Sequence, residues 1–297
     1  MKKASLIFMA ALALFTACGN KAEEPVKKEI GLQLYSIRSV IGNPELYAAN
    51  HVEAFKALAE MGYTQVEAAC YSDGKLYGVE PEQYKADLEA AGLKSGSTHI
   101  GHDLTAEELA SGDFTEALKW WDKAIDAHKR AGCKYIVTPG FGVPNTLQGL
   151  KTYCDYFNAI GKKCKENGML YGYHNHSHEF NKVEDKVIYD FMLENTDPEY
   201  VFFQMDVYWA VMGRAYPVEY FRKYPNRFTL LHIKDHLELG ESGMVGFDAI
   251  FNNADVAGMK DFIVELEGYT NGDWKESIKM CADYLLKSDF VKETYSE

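Results

Sequence analysis

The sequence predicts an α/β protein built as a single closed (β/α)₈ barrel, and three observations carry that prediction. The first is a recurring phrase in which a polar, helix-like stretch ends in a residue plus Gly, and an apolar strand begins about two residues later. It occurs at Met61-Gly62-Tyr63, Ala91-Gly92-Leu93, Ala131-Gly132-Cys133, Asn167-Gly168-Met169 and Ala257-Gly258-Met259. Gly past a helix end adopts the left-handed conformation without a Cβ penalty, and a short loop then feeds a buried strand. The second observation is that strand candidates recur about every 33 residues, the length of one βα unit. The third is negative: no G-x-G-x-x-G follows the first strand, which weakens the rival doubly wound sheet.

In chain order the strand candidates are 30–35, 64–68, 95–100, 135–138, 170–174, 201–206, 228–232 and 262–266. The sixth and seventh follow breaks at Asp197-Pro198 and Tyr224-Pro225. Between them lie amphipathic stretches at 52–60, 81–90, 114–130, 147–166, 189–194 and 217–223, each with apolar residues at helical spacing. Alternating strand and helix implies a parallel sheet, and eight such units imply closure into a TIM barrel. The barrel unit is expected over 29–290.

Ahead of it, Lys2 and Lys3 precede an apolar run from Leu6 to Phe15, too short for the ~20 residues a spanning helix needs. Residues 1–17 therefore read as a secretory signal. Cys18, directly after Thr16-Ala17, resembles the acylated Cys of a bacterial lipobox, although Phe15 stands where Leu is usual; an ordinary signal peptide cut nearby is the alternative. Residues 18–28, with Lys, Glu and Pro and no apolar run, read as a flexible tether. The expectation is an exported protein, held to a membrane only through that lipid anchor, in the periplasm or on the cell surface. The other cysteines, Cys70, Cys133, Cys154, Cys164 and Cys281, are odd in number and form no C-x-x-C pair, so at least one thiol is free and no thiolate metal site is indicated.

The 297 residues carry 31 Lys+Arg against 44 Asp+Glu, a formal charge of −13. Phosphate binding needs a basic stripe, so nucleic acid is not an expected partner.

Barrel chemistry sits at the C-terminal ends of the strands. Here those ends carry Glu67 on the second strand, His99 and His102 on the third, and Tyr173-His174-Asn175-His176-Ser177-His178-Glu179 on the fifth. The sixth ends in Met205-Asp206-Val207-Tyr208-Trp209, the seventh in His232-Ile233-Lys234-Asp235 and the eighth in Glu265-Leu266-Glu267. Singly, such residues are often helix caps or hydrogen-bonded core groups. Jointly they point elsewhere, because Asp206 and Glu265 lie within apolar runs where an uncompensated charge is costly. Side chains from strands five to eight converge above the barrel axis, and a nitrogen and oxygen donor set suits one divalent ion such as Mn²⁺, Mg²⁺, Co²⁺ or Zn²⁺.

On Tyr173-His174-Asn175-His176, Met205-Asp206-Val207-Tyr208-Trp209, Leu231-His232-Ile233-Lys234-Asp235 and Ile263-Val264-Glu265, the chain resembles the xylose-isomerase-like TIM barrels. That superfamily includes sugar isomerases and epimerases, inosose and dehydroshikimate dehydratases, and type 2 AP endonucleases. Within it the chain is most similar to exported lipoprotein members of Bacteroidetes. The resemblance implies a metal held by residues from strands five to eight, and Asp206, His232 and Glu265 fit directly. Where relatives often have Glu-Asn-His, this chain has His174-Asn175-His176, so the first ligand is His174, or Glu179 reaching in from the loop. The same pattern makes His176 a catalytic or substrate-contacting residue. Trp209 stands where many relatives have His, as an aromatic floor for a sugar ring or as packing at the rim.

The leading expectation is a metal-dependent sugar isomerase or epimerase, with the ion as Lewis acid stabilising an enediolate. His176, Glu265 and Glu179 are the candidate acid/base groups, and Lys234 stabilises oxyanion charge. Glu67, His99, His102 and Trp209 would contact a small carbohydrate substrate. The alternatives are a lyase or hydratase acting on 3-keto-sugars or 3-keto-glycosides, and a non-catalytic sugar-binding lipoprotein.

Overall fold

The computed structural model describes residues 28–295. The expected signal, Cys18 and all of the expected tether except Lys28 lie outside the described residues. No helix among the described residues is long and apolar enough to cross a membrane.

Eight parallel strands close on themselves. They are β1 (Gly31–Gln33), β2 (Gln65–Ala68), β3 (Lys94–His99), β4 (Tyr135–Thr138), β5 (Leu170–His174), β6 (Val201–Asp206), β7 (Leu230–Lys234) and β8 (Asp261–Glu265). Closure is explicit in the register of β1, where Gly31 aligns with Gln65 of β2 on one side and Ile263 of β8 on the other. The main helices are α1 (Pro44–Glu60), α2 (Pro81–Ala90), α3 (Thr115–Arg130), α4 (Leu147–Glu166), α5 (Ile188–Asn195), α6 (Pro217–Lys223), α7 (Phe247–Asn252) and α8 (Trp274–Lys287). The glycines of the recurring phrase, Gly62, Gly92, Gly132, Gly168 and Gly258, all have φ between 76° and 101°, the left-handed geometry their position calls for.

The structure corrects the sequence reading at several edges. β1 stops at Gln33 because Leu34–Ile37 tightens into a 3₁₀ turn capped by the Gln33 side chain, which leaves Tyr35 on the rim. α1 begins eight residues before the expected 52, at Pro44, with Asn43 Oδ1 capping Leu46 N. β7 starts at Leu230, not at Phe228. Two short antiparallel ribbons, pairing Tyr71–Ser72 with Lys75–Leu76 and Lys182–Val183 with Lys186–Val187, went unforeseen in the loops after β2 and β5. All five described cysteines are free.

Side chains two apart on a strand share a face. Along β6 the inward series is Phe202, Gln204, Asp206; along β7 it is Leu230, His232, Lys234; along β8 it is Asp261, Ile263, Glu265. Phe202, Leu230 and Ile263 pack with Tyr135 and Val137 into an apolar plug inside the barrel. Gly172 on β5 makes room for that plug, since a Cβ there would meet the Phe202 ring at 2.5 Å. Above the plug the interior turns polar, and this upper layer holds the candidate site.

Candidate active site

Four strands each deliver one ligand-type atom to a single point. His174 of β5, Asp206 of β6, His232 of β7 and Glu265 of β8 are all buried, and their donor atoms lie within 4.8 Å of one another. Register explains the convergence: Gln204 aligns with His174, Asp206 with His232, and Lys234 with Glu265, so the inward residues climb together around the barrel.

The electrostatics of this group are those of crowded buried charge. Burial pushes the Asp206 carboxyl up to about 7, against the pull of Lys234 and with the push of Glu265. Burial also opposes charge on His232, but Glu67 and Glu265 outweigh it and raise the imidazole to about 10. Glu265 is held down to about 2, since His232 and Lys234 overcome its burial. His174 is held well below the usual histidine range by burial and by the facing imidazoles of His232, His99 and His176.

Whether these residues suit a metal can be tested on their own unsatisfied atoms. Asp206 Oδ1 accepts the Trp209 N–H at 2.8 Å, but Asp206 Oδ2 has no hydrogen-bond partner, and neither has His232 Nδ1. Buried polar atoms are normally paired, and an unpaired carboxylate oxygen beside an imidazole nitrogen without a hydrogen-bond partner fits a shared cation, which His232 would bind by giving up its Nδ1 proton. With nitrogen and oxygen donors only, the set fits a divalent ion. Two donors without hydrogen-bond partners stand beside them, Lys234 Nζ and Trp209 Nε1, the amine lying 5.8 Å from the Trp209 ring centre. Lys234 Nζ also lies 3.7 Å from Glu265 and 3.3 Å from Glu267.

The site opens into a cavity of about 380 Å³ whose walls include Tyr35, His99, His174, His176, Glu265 and Glu267. His176 is partly buried, and burial lowers its imidazole pKa despite the opposing Glu179 and Glu265.

Three expected contributors sit differently from the roles first read for them. Glu67 is wholly buried beneath the histidines, with both oxygens taken by protein donors, so it has none to offer a substrate hydroxyl. Glu179 is likewise buried: Oε1 accepts from Tyr173 Oη at 2.6 Å and Oε2 from the His176 N–H at 2.9 Å. It lies outside the four-residue group and orients the His176 loop, which leaves His174 as the β5 member. His102 is stacked on Trp120, ring centres 4.8 Å apart, and is not part of the cavity wall. Trp209 stands 5.7 Å from His176, ring to ring.

Sequence reasoning missed Gln33, Ser97, Asn175 and Gln204. Asn175 joins β5 to β6, accepting the Asp206 N–H and donating to the Asp206 carbonyl. The available signal was an amide inside a strand otherwise buried and apolar: Gln204 in Val-Phe-Phe-Gln-Met-Asp, two residues before Asp206 and hence on its face.

Residues 55–284 match the family model for the xylose isomerase-like TIM barrel. The chain belongs to the xylose isomerase-like TIM barrel family. Among solved structures in the family, it is similar to a sugar phosphate isomerase/epimerase from Parabacteroides distasonis ATCC 8503, with TM-score 0.81 and 37% identity over 89% of this chain and 100% of that one. It is also similar to two inosose dehydratases. One, from Clostridium tetani, is 33% identical over 65% of this chain and 66% of its own length. The other, from Geobacillus kaustophilus, is 25% identical over 62% and 61%. The chain thus spans a little under two thirds of each curated relative it matches.

Proposed function

We propose that the protein is a divalent-metal-dependent sugar isomerase or epimerase that moves a proton at the carbon next to a carbonyl of a carbohydrate or polyol. The observation that carries this reading is the convergence of His174, Asp206, His232 and Glu265, with Asp206 Oδ2 and His232 Nδ1 lacking hydrogen-bond partners, beside a cavity that His174 and Glu265 help to line. His174, Asp206, His232 and Glu265 would hold the ion, which supplies Lewis-acid polarisation of a substrate oxygen.

The chain's own groups divide the remaining work. His176, with its pKa lowered by burial, is neutral at pH 7 and able to take a proton from carbon. Glu265 converges with the other candidate ligands and would help to hold the ion. Lys234 and Trp209 direct N–H groups at the oxygen on which charge develops. Tyr35, 46% exposed on the rim, offers an aromatic face to a sugar ring.

A dehydratase is the second reading, favoured by the two inosose dehydratase relatives. Proton removal beside the carbonyl is common to both reactions; they part on whether the proton is returned or a β-hydroxyl leaves. The proposal includes export and anchoring through Cys18, supported by the N-terminal sequence, which makes unphosphorylated sugars the expected substrates.

The deciding experiment incubates metal-loaded protein with ketoses, inososes and 3-keto-sugars in D₂O and follows carbon-bound deuterium by NMR. Exchange with isomer formation is the expected result, and exchange with loss of water or an aglycone makes the protein a lyase. Metal bound but no exchange across the panel would reduce it to a sugar-binding protein.

A further inference from the structure

Glu67 is the most heavily bonded side chain of the barrel interior. It accepts from Gln33 Nε2 at 2.7 Å, Ser97 Oγ at 2.5 Å, Gln204 Nε2 at 2.8 Å and His232 Nε2 at 2.6 Å, with His99 Nε2 at 3.0 Å. The orientation of Gln33 is independently set, because its Oε1 accepts the Tyr35 N–H at 3.0 Å and its amide nitrogen must therefore face Glu67. A carboxylate has only acceptors, so every partner around it has to donate.

Two consequences reach the candidate ligands. His232 must carry a proton on Nε2, which turns Nδ1 toward Asp206 Oδ2 at 4.0 Å and Glu265 Oε2 at 3.4 Å. Gln204, with its nitrogen committed to Glu67, must present Oε1 on its other side. There Oε1 meets His174 Nδ1 at 3.0 Å and His99 Nε2 at 2.7 Å. An acceptor at that position requires the proton of His174 on Nδ1, leaving Nε2 bare.

We infer that Glu67 is a positioning residue that sets which nitrogen of each candidate metal-ligating histidine is bare, directly at His232 and through Gln204 at His174. The inference rests on the metal reading proposed above, but the histidine tautomers can be read apart from it. Substituting Gln at Glu67 places an N–H among donors, so Gln204 or His232 must turn.

The test is ¹⁵N–¹H long-range correlation NMR of the imidazoles. In metal-free protein, neutral His174 is expected as the Nδ1–H form, and in Zn²⁺-loaded protein His232 is expected as the Nε2–H form with Nδ1 coordinated. Glu67→Gln is expected to weaken Zn²⁺ binding by about 10- to 100-fold, measured against a chromophoric chelator, while far-UV circular dichroism stays unchanged. Gln204→Leu, which leaves Glu67 in place should Glu67→Gln fail to fold, is expected to convert His174 to a tautomer mixture. His174 as the Nε2–H form in wild type, or a folded Glu67→Gln protein binding Zn²⁺ as tightly as wild type, overturns the inference. Wild type that binds no Zn²⁺ yet shows His174 as the Nδ1–H form, lost in Gln204→Leu, refutes the metal reading and supports the positioning role.

Discussion

The two ends of the barrel each bury an acid among donors, and they differ in what is left over. At the N-terminal end of the strands, Asp261 Oδ1 accepts from Gln65 at 3.3 Å, while Oδ2 accepts from Lys134 at 2.8 Å and Tyr135 at 2.5 Å, so no buried polar side-chain atom of that cluster is unpaired. At the C-terminal end Glu67 is as fully satisfied as Asp261, yet the layer above it leaves Asp206 Oδ2, His232 Nδ1, Lys234 Nζ and Trp209 Nε1 without hydrogen-bond partners. A closed network serves stability, whereas a network with atoms to spare awaits a ligand. One scaffold thus keeps a closed polar network and the candidate site at opposite ends.

That contrast can be broken in three ways. The largest effect is expected at the upper end: His232→Ala or Asp206→Ala should drop metal content from about one ion per chain to background in elemental analysis, with the fold retained by circular dichroism. Unchanged metal content would remove the upper layer's claim to a ligand. At the lower end, Asp261→Ala strands the Tyr135 hydroxyl and the Lys134 amine and should cost about 3 kcal/mol in denaturant unfolding, with metal affinity unaltered. A metal defect in that variant would show the two ends to be coupled.

The smallest effect concerns an unpaired atom in the helical layer outside the barrel. His128 on α3 is fully buried, its Nδ1 bonded to the Ala124 carbonyl at 2.7 Å and its Nε2 without a partner. Burial lowers its imidazole to about 4, only partly countered by that carbonyl. The folded state therefore binds the proton less readily than the unfolded chain. Stability is lost as pH falls below about 6.5 and continues to fall toward 4, by about 2 kcal/mol at pH 5. His128→Leu should flatten this slope in pH-dependent unfolding and leave metal binding untouched. If it alters metal binding, an unpaired buried atom is no guide to where the ligand sits.

Much of the fold was legible because closing a parallel barrel repeats one sentence, helix then Gly then apolar strand, whose Gly and periodicity are local signals. Edges were lost where a side chain decides them: Gln33 caps the turn that ends β1, and Asn43 starts α1 early. The charged half of the site was legible too, since Asp206, His232 and Glu265 interrupt apolar runs. Its neutral half was not. Gln33, Ser97 and Gln204 reach Glu67 from 30 or more residues away, and no pattern along the chain reveals that Gln204 meets Glu67, 137 residues distant. Glu67 itself was noticed and misread, because position at a strand end says that a carboxylate faces the axis and nothing of how many donors meet it.

Asp206 is the last residue of β6 and also the cap of the short helix Val207–Met212, with one oxygen on the Trp209 N–H and the other unclaimed. Architecture and chemistry therefore part company between two atoms of a single carboxylate. An amide at this position could keep the helix start on its one oxygen while surrendering the negative charge. The geometry of the loop and its capacity to hold a cation are in that sense separate inheritances, and evolution is free to discard the second without disturbing the first.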